Sequence, residues 1–172
     1  MDQLNKNVAR GEATRGQLIS IARRLFAERG YEDTSVEAVA EDVETSVGEQ
    51  TLAAARGAGG PVDALRAGSL AWIRLAGDPV VRRILLIDAP SVLGWERWRA
   101  MEEHHALGGI RAVLQAIADE GKVRPELVGT LANVLLASVN EVALIVARAE
   151  DKEAAMQVGA DTVDELLQRL FG

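Results

Sequence analysis

Four prolines set the architecture of this 172-residue chain, because each stands at the head of a helical pattern. They occur as Gly60-Pro61, Asp78-Pro79, Ala89-Pro90 and Arg124-Pro125. Proline suits the first turn of a helix, where its missing N–H has no intrahelical partner in any case. Asp78 adds an N-cap carboxylate ahead of Pro79. Gly30, Gly77 and Gly121 stand where the preceding patterns end, as helix-terminating glycines do. These marks bound helices near 13–29, 35–57 (with a break allowed), 61–76, 79–88, 91–120, 125–149 and 152–171. No segment alternates apolar and polar residues over the length of a strand, so the chain reads as all-α.

Composition agrees. Aromatic residues make up only 3% of the chain while Ala and Leu are abundant, which favours closely packed helices over a sandwich or barrel. A chain of this length can bury a sizeable core, as one domain or as a small head on a larger body. Cysteine is absent, which excludes disulfides, thiolate chemistry and Cys-based zinc sites. The opening MDQLNKNVARGEATR has no apolar run of the secretory kind. The most apolar segment, Leu131 to Ala147, is interrupted by Asn133, Ser138, Asn140 and Glu141, so no membrane span is expected and the cytoplasm is the expected location.

The net charge of −7 has the wrong sign for a protein that coats nucleic acid, but its distribution matters. Residues 1–30 hold six Lys/Arg against three Asp/Glu, and residues 31–50 hold seven acids and no base. A mildly basic amino-terminal head on an acidic body is compatible with a DNA-contacting arm.

Within that head, Leu18, Ala22, Leu25 and Phe26 share one helical face, with Arg15, Arg23, Arg24 and Arg29 mostly off it. Glu28-Arg29-Gly30-Tyr31 closes the helix and returns an aromatic ring to its apolar side. Thr34-Ser35-Val36-Glu37 matches a capping box, with the Thr34 hydroxyl at the cap and the Glu37 carboxylate three residues on. Val36, Val39 and Ala40 then supply the inner face of a second helix.

The set Thr14-Arg15, Leu18-Ile19, Ala22, Leu25-Phe26, Gly30-Tyr31, Thr34-Ser35-Val36-Glu37 and Val39-Ala40 resembles the amino-terminal head of TetR-family transcriptional regulators. The resemblance implies a helix-turn-helix unit, whose last helix enters the major groove. It also implies that Arg15, Thr34 and Ser35 sit against DNA phosphates, which position a protein without reading sequence. The bland alternative is that Arg15 is a solvated charge and Thr34 only a cap.

After Ala40 the pattern breaks. The family continues with a glycine-containing turn, a recognition helix and a fourth helix, whereas this chain has Glu41-Asp-Val-Glu-Thr-Ser-Val-Gly-Glu-Gln-Thr-Leu52. One alignment makes Glu44-Thr45-Ser46 a degraded turn and Glu49-Gln50 the groove-facing surface, where acids repel phosphate. The other takes Glu41 to Ala55 as the far part of the fourth helix, with roughly 25 residues absent, about a turn and two helical segments at ordinary lengths. The second fits the stripe Val43, Val47 and Leu52 better. It removes direct base readout and leaves salt-sensitive phosphate contacts from Arg15, Arg23 and Arg24. The expected division is a partial DNA-binding head over 1–48 and a ligand-binding and dimerisation domain over 49–172.

From Pro61 to Phe171 the chain resembles the ligand-sensing and dimerising domain of the same family, most visibly in DPVVRRILLIDAPSVLGWERWRAMEEHHALGG. The resemblance implies a homodimer in which the last two helices pair with their copies through Leu127, Leu131, Leu135, Val142, Val163, Leu166, Leu167 and Leu170. The alternative is that these stripes are intramolecular core. Trp72, Trp95 and Trp98 are candidate walls of a cavity for a small apolar ligand, or plugs of the core. Asn140 interrupts an apolar helix and needs a partner, which a ligand, the twin subunit or a neighbouring carbonyl would supply. Gly108-Gly109 is expected to bend or loosen its helix.

Glu102 and His105 can share a helical face, but two ligands do not make a metal site, so no metal or cofactor is expected. No G-x-S-x-G elbow, phosphate-binding loop or dinucleotide fingerprint occurs, so no enzyme class is indicated. The reading is a ligand-responsive, DNA-binding transcriptional regulator acting as a repressor. Its alternative is a dimerising small-molecule-binding module without sequence-specific DNA binding.

Overall fold

The computed structural model describes residues 19–21, 23–25, 27–28, 30 and 35–172, and every regular element among them is helical. Residues 19–21, 23–25 and 27–28 are helical and precede α1, Val36–Arg56. The cap of α1 is Ser35, whose hydroxyl accepts the Ala38 N–H at 3.1 Å. The capping hydroxyl thus lies one residue beyond the expected Thr34, which itself falls outside the described residues. Glu37 in the first turn and Arg56 in the last both complement the helix dipole.

Helix α1 is continuous for 21 residues. Residues 44–46 are helical, so the turn of the first alignment is not formed. Thr45 donates its hydroxyl to the Glu41 carbonyl at 2.8 Å and Gln50 its amide to the Ser46 carbonyl at 3.2 Å, four residues back in each case. These polar side chains bond to their own helix rather than diverting the backbone into a turn. The boundary expected at 48/49 falls inside this one helix.

Gly57 to Gly60 lead into α2, Pro61–Ala76, which packs against α1 and four later helices. Helix α3 begins under the Asp78 cap, whose carboxylate accepts the Val80 N–H at 2.7 Å. It comprises Pro79–Val81, a π-helical stretch Arg82–Asp88, and Ala89–Leu93. The sequence marks Pro90 as a helix start, but the helix passes through it. The Ala89 N–H reaches five residues back to the Ile84 carbonyl, and this wider register accommodates a proline that an ordinary four-residue ladder would reject.

The true break comes at Gly94, with φ of 78° and ψ of 160°, a left-handed backbone that favours glycine. The helix expected from residue 91 therefore starts at Trp95. This α4 comprises Trp95–Glu102, a π-helical turn Glu103–Leu107, and Gly108–Asp119. The expected irregularity at Gly108-Gly109 falls on the π turn just before it.

A 3-10 turn, Pro125–Leu127, opens α5, Val128–Arg148, and α6, Lys152–Phe171, closes the fold under the Asp151 cap. The last carbonyls of α5 receive two cations. Arg82 donates to the Ala147 carbonyl at 2.8 Å and Lys152 to the same oxygen at 2.6 Å, as suits the negative end of a helix dipole.

Buried side chains among the described residues form two clusters. The larger joins α2, α4, α5 and α6 around Ile73, Leu114, Ile117, Leu135, Val139, Val163 and Leu167. The smaller joins α1 to α3 and the start of α4 through Ala40, Val43, Val47, Ile84, Leu85 and Met101. Trp72 packs against both. The segment Pro125–Arg148 is long and apolar enough by composition to cross a membrane. In the fold its Ala132, Leu135, Leu136, Val139 and Ala143 are buried in the larger cluster.

Candidate functional site

Between the two clusters lies a cavity of about 410 Å³, within the range of small-molecule sites. All six labelled helices line it: Glu44, Gly48 and Leu52 from α1, Leu65 and Trp72 from α2, Leu85 and Leu86 from α3, Trp98, His105 and Ile110 from α4, Leu135, Val139 and Asn140 from α5, and Val163 and Leu166 from α6. Helix α1 packs along Gly68 of α2, where an added Cβ would stand 3.7 Å from the Thr51 carbonyl oxygen, an ordinary van der Waals contact.

Most of the lining is apolar, and its polar groups are few. The Trp72 indole N–H donates to the Asn140 side-chain oxygen at 2.8 Å. Asn140 thus finds one partner in a tryptophan of the same chain. Thr51 turns its hydroxyl to the Gly48 carbonyl at 3.0 Å. At the π turn of α4 the His104 and His105 rings pack edge to face, 4.8 Å apart. Burial, followed by the neighbouring His104, holds the His105 imidazole below the usual histidine value of 6.5, outweighing an opposing pull from Glu41, so the ring is uncharged at pH 7.

Of the candidate ligand residues, Trp72, Trp98 and Asn140 border the cavity. Trp95 does not. It is the first residue after the Gly94 break, 67% exposed, with its ring 5.1 Å from that of Trp98 and the Arg99 guanidinium 5.6 Å from its centre. Sharing a helical face with Trp98 brought the two rings together on the outside of the wall.

The candidate dimer residues face mostly inward. Leu135, Val163 and Leu167 are buried in the chain's own core and border the cavity. Leu131, Val142, Leu166 and Leu170 are half-buried against that core, and Leu127 is half-buried in the turn before α5. The exposed apolar side chains on these helices are Val134, Ile145 and Val158, at 50%, 60% and 64%. The physical reason is the breadth of the apolar stripe. A helix apolar on more than one side offers several candidate faces, and only packing selects which is covered.

Of the candidate DNA contacts, Arg15 and Thr34 lie outside the described residues. Ser35 is exposed, with its hydroxyl engaged in the α1 cap. Arg24, a candidate phosphate contact, is paired with Asp42 of α1 and lies 3.5 Å from Glu28. That pair fastens the amino-terminal helical segment to α1 and raises the already high guanidinium pKa, chiefly through the hydrogen bond to Asp42.

Sequence reasoning missed the contribution of α1 to the cavity. Glu44, Gly48 and Leu52 recur every four residues and so share a helical face. The two alignments put Glu44 in a degraded turn or in the far part of a fourth helix, and neither assigned it to a cavity wall.

A helical head whose second helix continues into the wall of an apolar cavity defines a class of helical transcriptional regulators. Residues 62–170 match the family described as Tetracyclin repressor-like, C-terminal domain, and residues 18–49 match Bacterial regulatory proteins, tetR family. The chain is similar to the crystal structure of a TetR-family transcriptional regulator from Pectobacterium atrosepticum, with 26% identity and a TM-score of 0.67 over 93% of this chain and 95% of that one. No curated relative matches significantly. The chain belongs to the TetR family of transcriptional regulators.

Proposed function

We propose that this regulator is a cytoplasmic homodimer that represses transcription and responds to a small, largely apolar ligand. The observation that carries the proposal is the double role of α1. Its Ala40, Val43 and Val47 sit in the smaller core, while Glu44, Gly48 and Leu52 of the same unbroken helix line the cavity. A ligand that changes the position of α1 changes the position of whatever α1 carries at its amino-terminal end. DNA and ligand affinities are then coupled with equal strength in both directions.

On this reading Arg15, Thr34 and Ser35 meet DNA phosphates, and Trp72, Trp98 and Asn140 meet the ligand. Dimerisation uses the outer faces of α5 and α6, which leave Val134, Ile145 and Val158 uncovered in one subunit. The half-buried Leu131, Val142, Leu166 and Leu170 flank them.

Fluorescence anisotropy on DNA from upstream of its own gene and on scrambled DNA, across a salt series, tests the proposal. Preference for the native DNA that survives moderate salt is the expected result, and it would place the reading element outside Val36–Arg56, which form one unbroken helix. Equal binding to both that vanishes with salt, from a protein that still sediments as a dimer, would replace it with a dimerising body that does not read sequence.

A further inference from the structure

The chain has two histidines, and both fall in the one π turn of α4 that rests against α1. We propose that this turn, Glu103–Leu107, is a proton-sensitive contact, packed on α1 at neutral pH and parting from it when His105 takes up a proton. Single π turns within α-helices recur at functional positions. Here the wider register carries His104 exposed at the rim and His105 half-buried, with their rings edge to face 4.8 Å apart. The turn lies close to α1, since a Cβ added at Gly48 would stand 4.0 Å from the His105 carbonyl oxygen.

The surrounding charges decide what a proton does. Glu41 of α1 attracts a charged His105, and Glu44 and Glu49 of α1 line the cavity beside the pair. On α4 itself Glu103 is tied to Arg111 at 2.9 Å. Among the described residues, the cavity lining from α2, α3, α5 and α6 holds no titratable side chain. Burial first, and the neighbouring His104 second, outweigh Glu41 and hold the His105 imidazole below the ordinary value of 6.5. The packed turn therefore binds fewer protons than a turn whose ring stands in water. By linkage, packing is fully favoured above the ordinary value, weakens as pH falls through it, and levels off once the packed ring is charged too. Histidine is the side chain that ordinarily changes charge between about pH 5 and 8, and this fold concentrates both of its histidines on the contact with α1. Acidity thus acts on the helix that joins the head to the cavity wall, whatever the cavity binds.

Amide hydrogen exchange on the full chain between about pH 5 and 8, corrected for the intrinsic rate, tests this beside NMR titration of the two histidine rings. Protection of the α1 amides around Gly48 and of the turn itself is expected to fall several-fold on acidification, with the same midpoint as the His105 ring, while the interiors of α5 and α6 hold. His105→Gln keeps a polar side chain that cannot charge, and its protection is expected to stay level. His104→Gln removes the neighbouring charge and is expected to reduce the fall. An equal fall in His105→Gln overturns the proposal, as does level protection in the parent while the ring titrates. A loss shared by all six helices overturns it too, because that is global unfolding. If His105→Gln does not fold, the parent still decides, since a fall whose midpoint differs from that of the ring refutes the link.

Discussion

The Trp72 indole N–H and the Asn140 side-chain oxygen meet at 2.8 Å, and this bond ties α2 to α5 at the cavity wall. Trp72 also packs against both hydrophobic clusters. One side chain therefore lies where the two cores and the candidate site adjoin, and its polar edge is satisfied from within the fold.

Replacing Trp72 with Phe keeps an aromatic body and removes the donor. The expected cost is about 1 kcal/mol, the net worth of a half-buried hydrogen bond. Urea unfolding measures it. An unchanged midpoint and slope would show that the bond contributes nothing to the fold.

Helices α5 and α6 approach closely at Gly159, where an added Cβ would lie 3.0 Å from Val146 Cγ2 and 3.2 Å from Val142 Cγ1. Gly159→Val is expected to destabilise by about 1–3 kcal/mol through overpacking. Val142→Ala in the same chain should recover part of the loss, because it opens space on the opposing helix. Thermal melts of the single and double variants test this, and a Gly159→Val protein as stable as the parent would refute the close approach.

Arg66 on α2 grips Asp164 on α6 through both carboxylate oxygens, with its second contact at 2.9 Å. The Arg66 hydrogen bond holds the Asp164 carboxyl below its usual value of 3.8. A depressed folded-state pKa gives stability that is fully present above the unfolded value and lost as pH falls through the folded one. Both groups are more than a third exposed, so solvent screening limits the pair to about 0.5 kcal/mol. Asp164→Asn should lower stability slightly at pH 7, and the gap to the parent should close below about pH 4. A gap constant with pH would remove the ion pair as its cause.

The proposed dimer face and the buried stripe behind it respond oppositely to charge. Ile145→Asp and Val158→Asp are expected to yield folded monomers by sedimentation velocity, since both side chains are exposed in one subunit. Leu135→Asp is expected to cost more than about 3 kcal/mol, because it buries an unpaired carboxylate in the core. Dimers from the first two variants with unchanged affinity would move the interface elsewhere.

Helix positions were readable because their signals are local. Proline, glycine and N-cap residues act within one turn, and Gly60-Pro61, the Asp78 cap and Gly121 stand where helices change. Reading failed at Pro90 and Gly94 because a π-helical register can carry a proline through a helix, while one glycine in a left-handed conformation can end it. Neither outcome is encoded in residue type alone.

By itself the sequence determined an all-α chain, its helix order and its likeness to TetR regulators, since periodicity and spacing are properties of the chain read in line. Tertiary structure alone decided that α1 runs unbroken beside the cavity, that Trp95 points away from it, and that Leu135, Val163 and Leu167 face inward. An apolar stripe states that a face must be covered, and hydrophobic burial has no direction of its own. Which neighbour covers that face depends on how all the helices pack together.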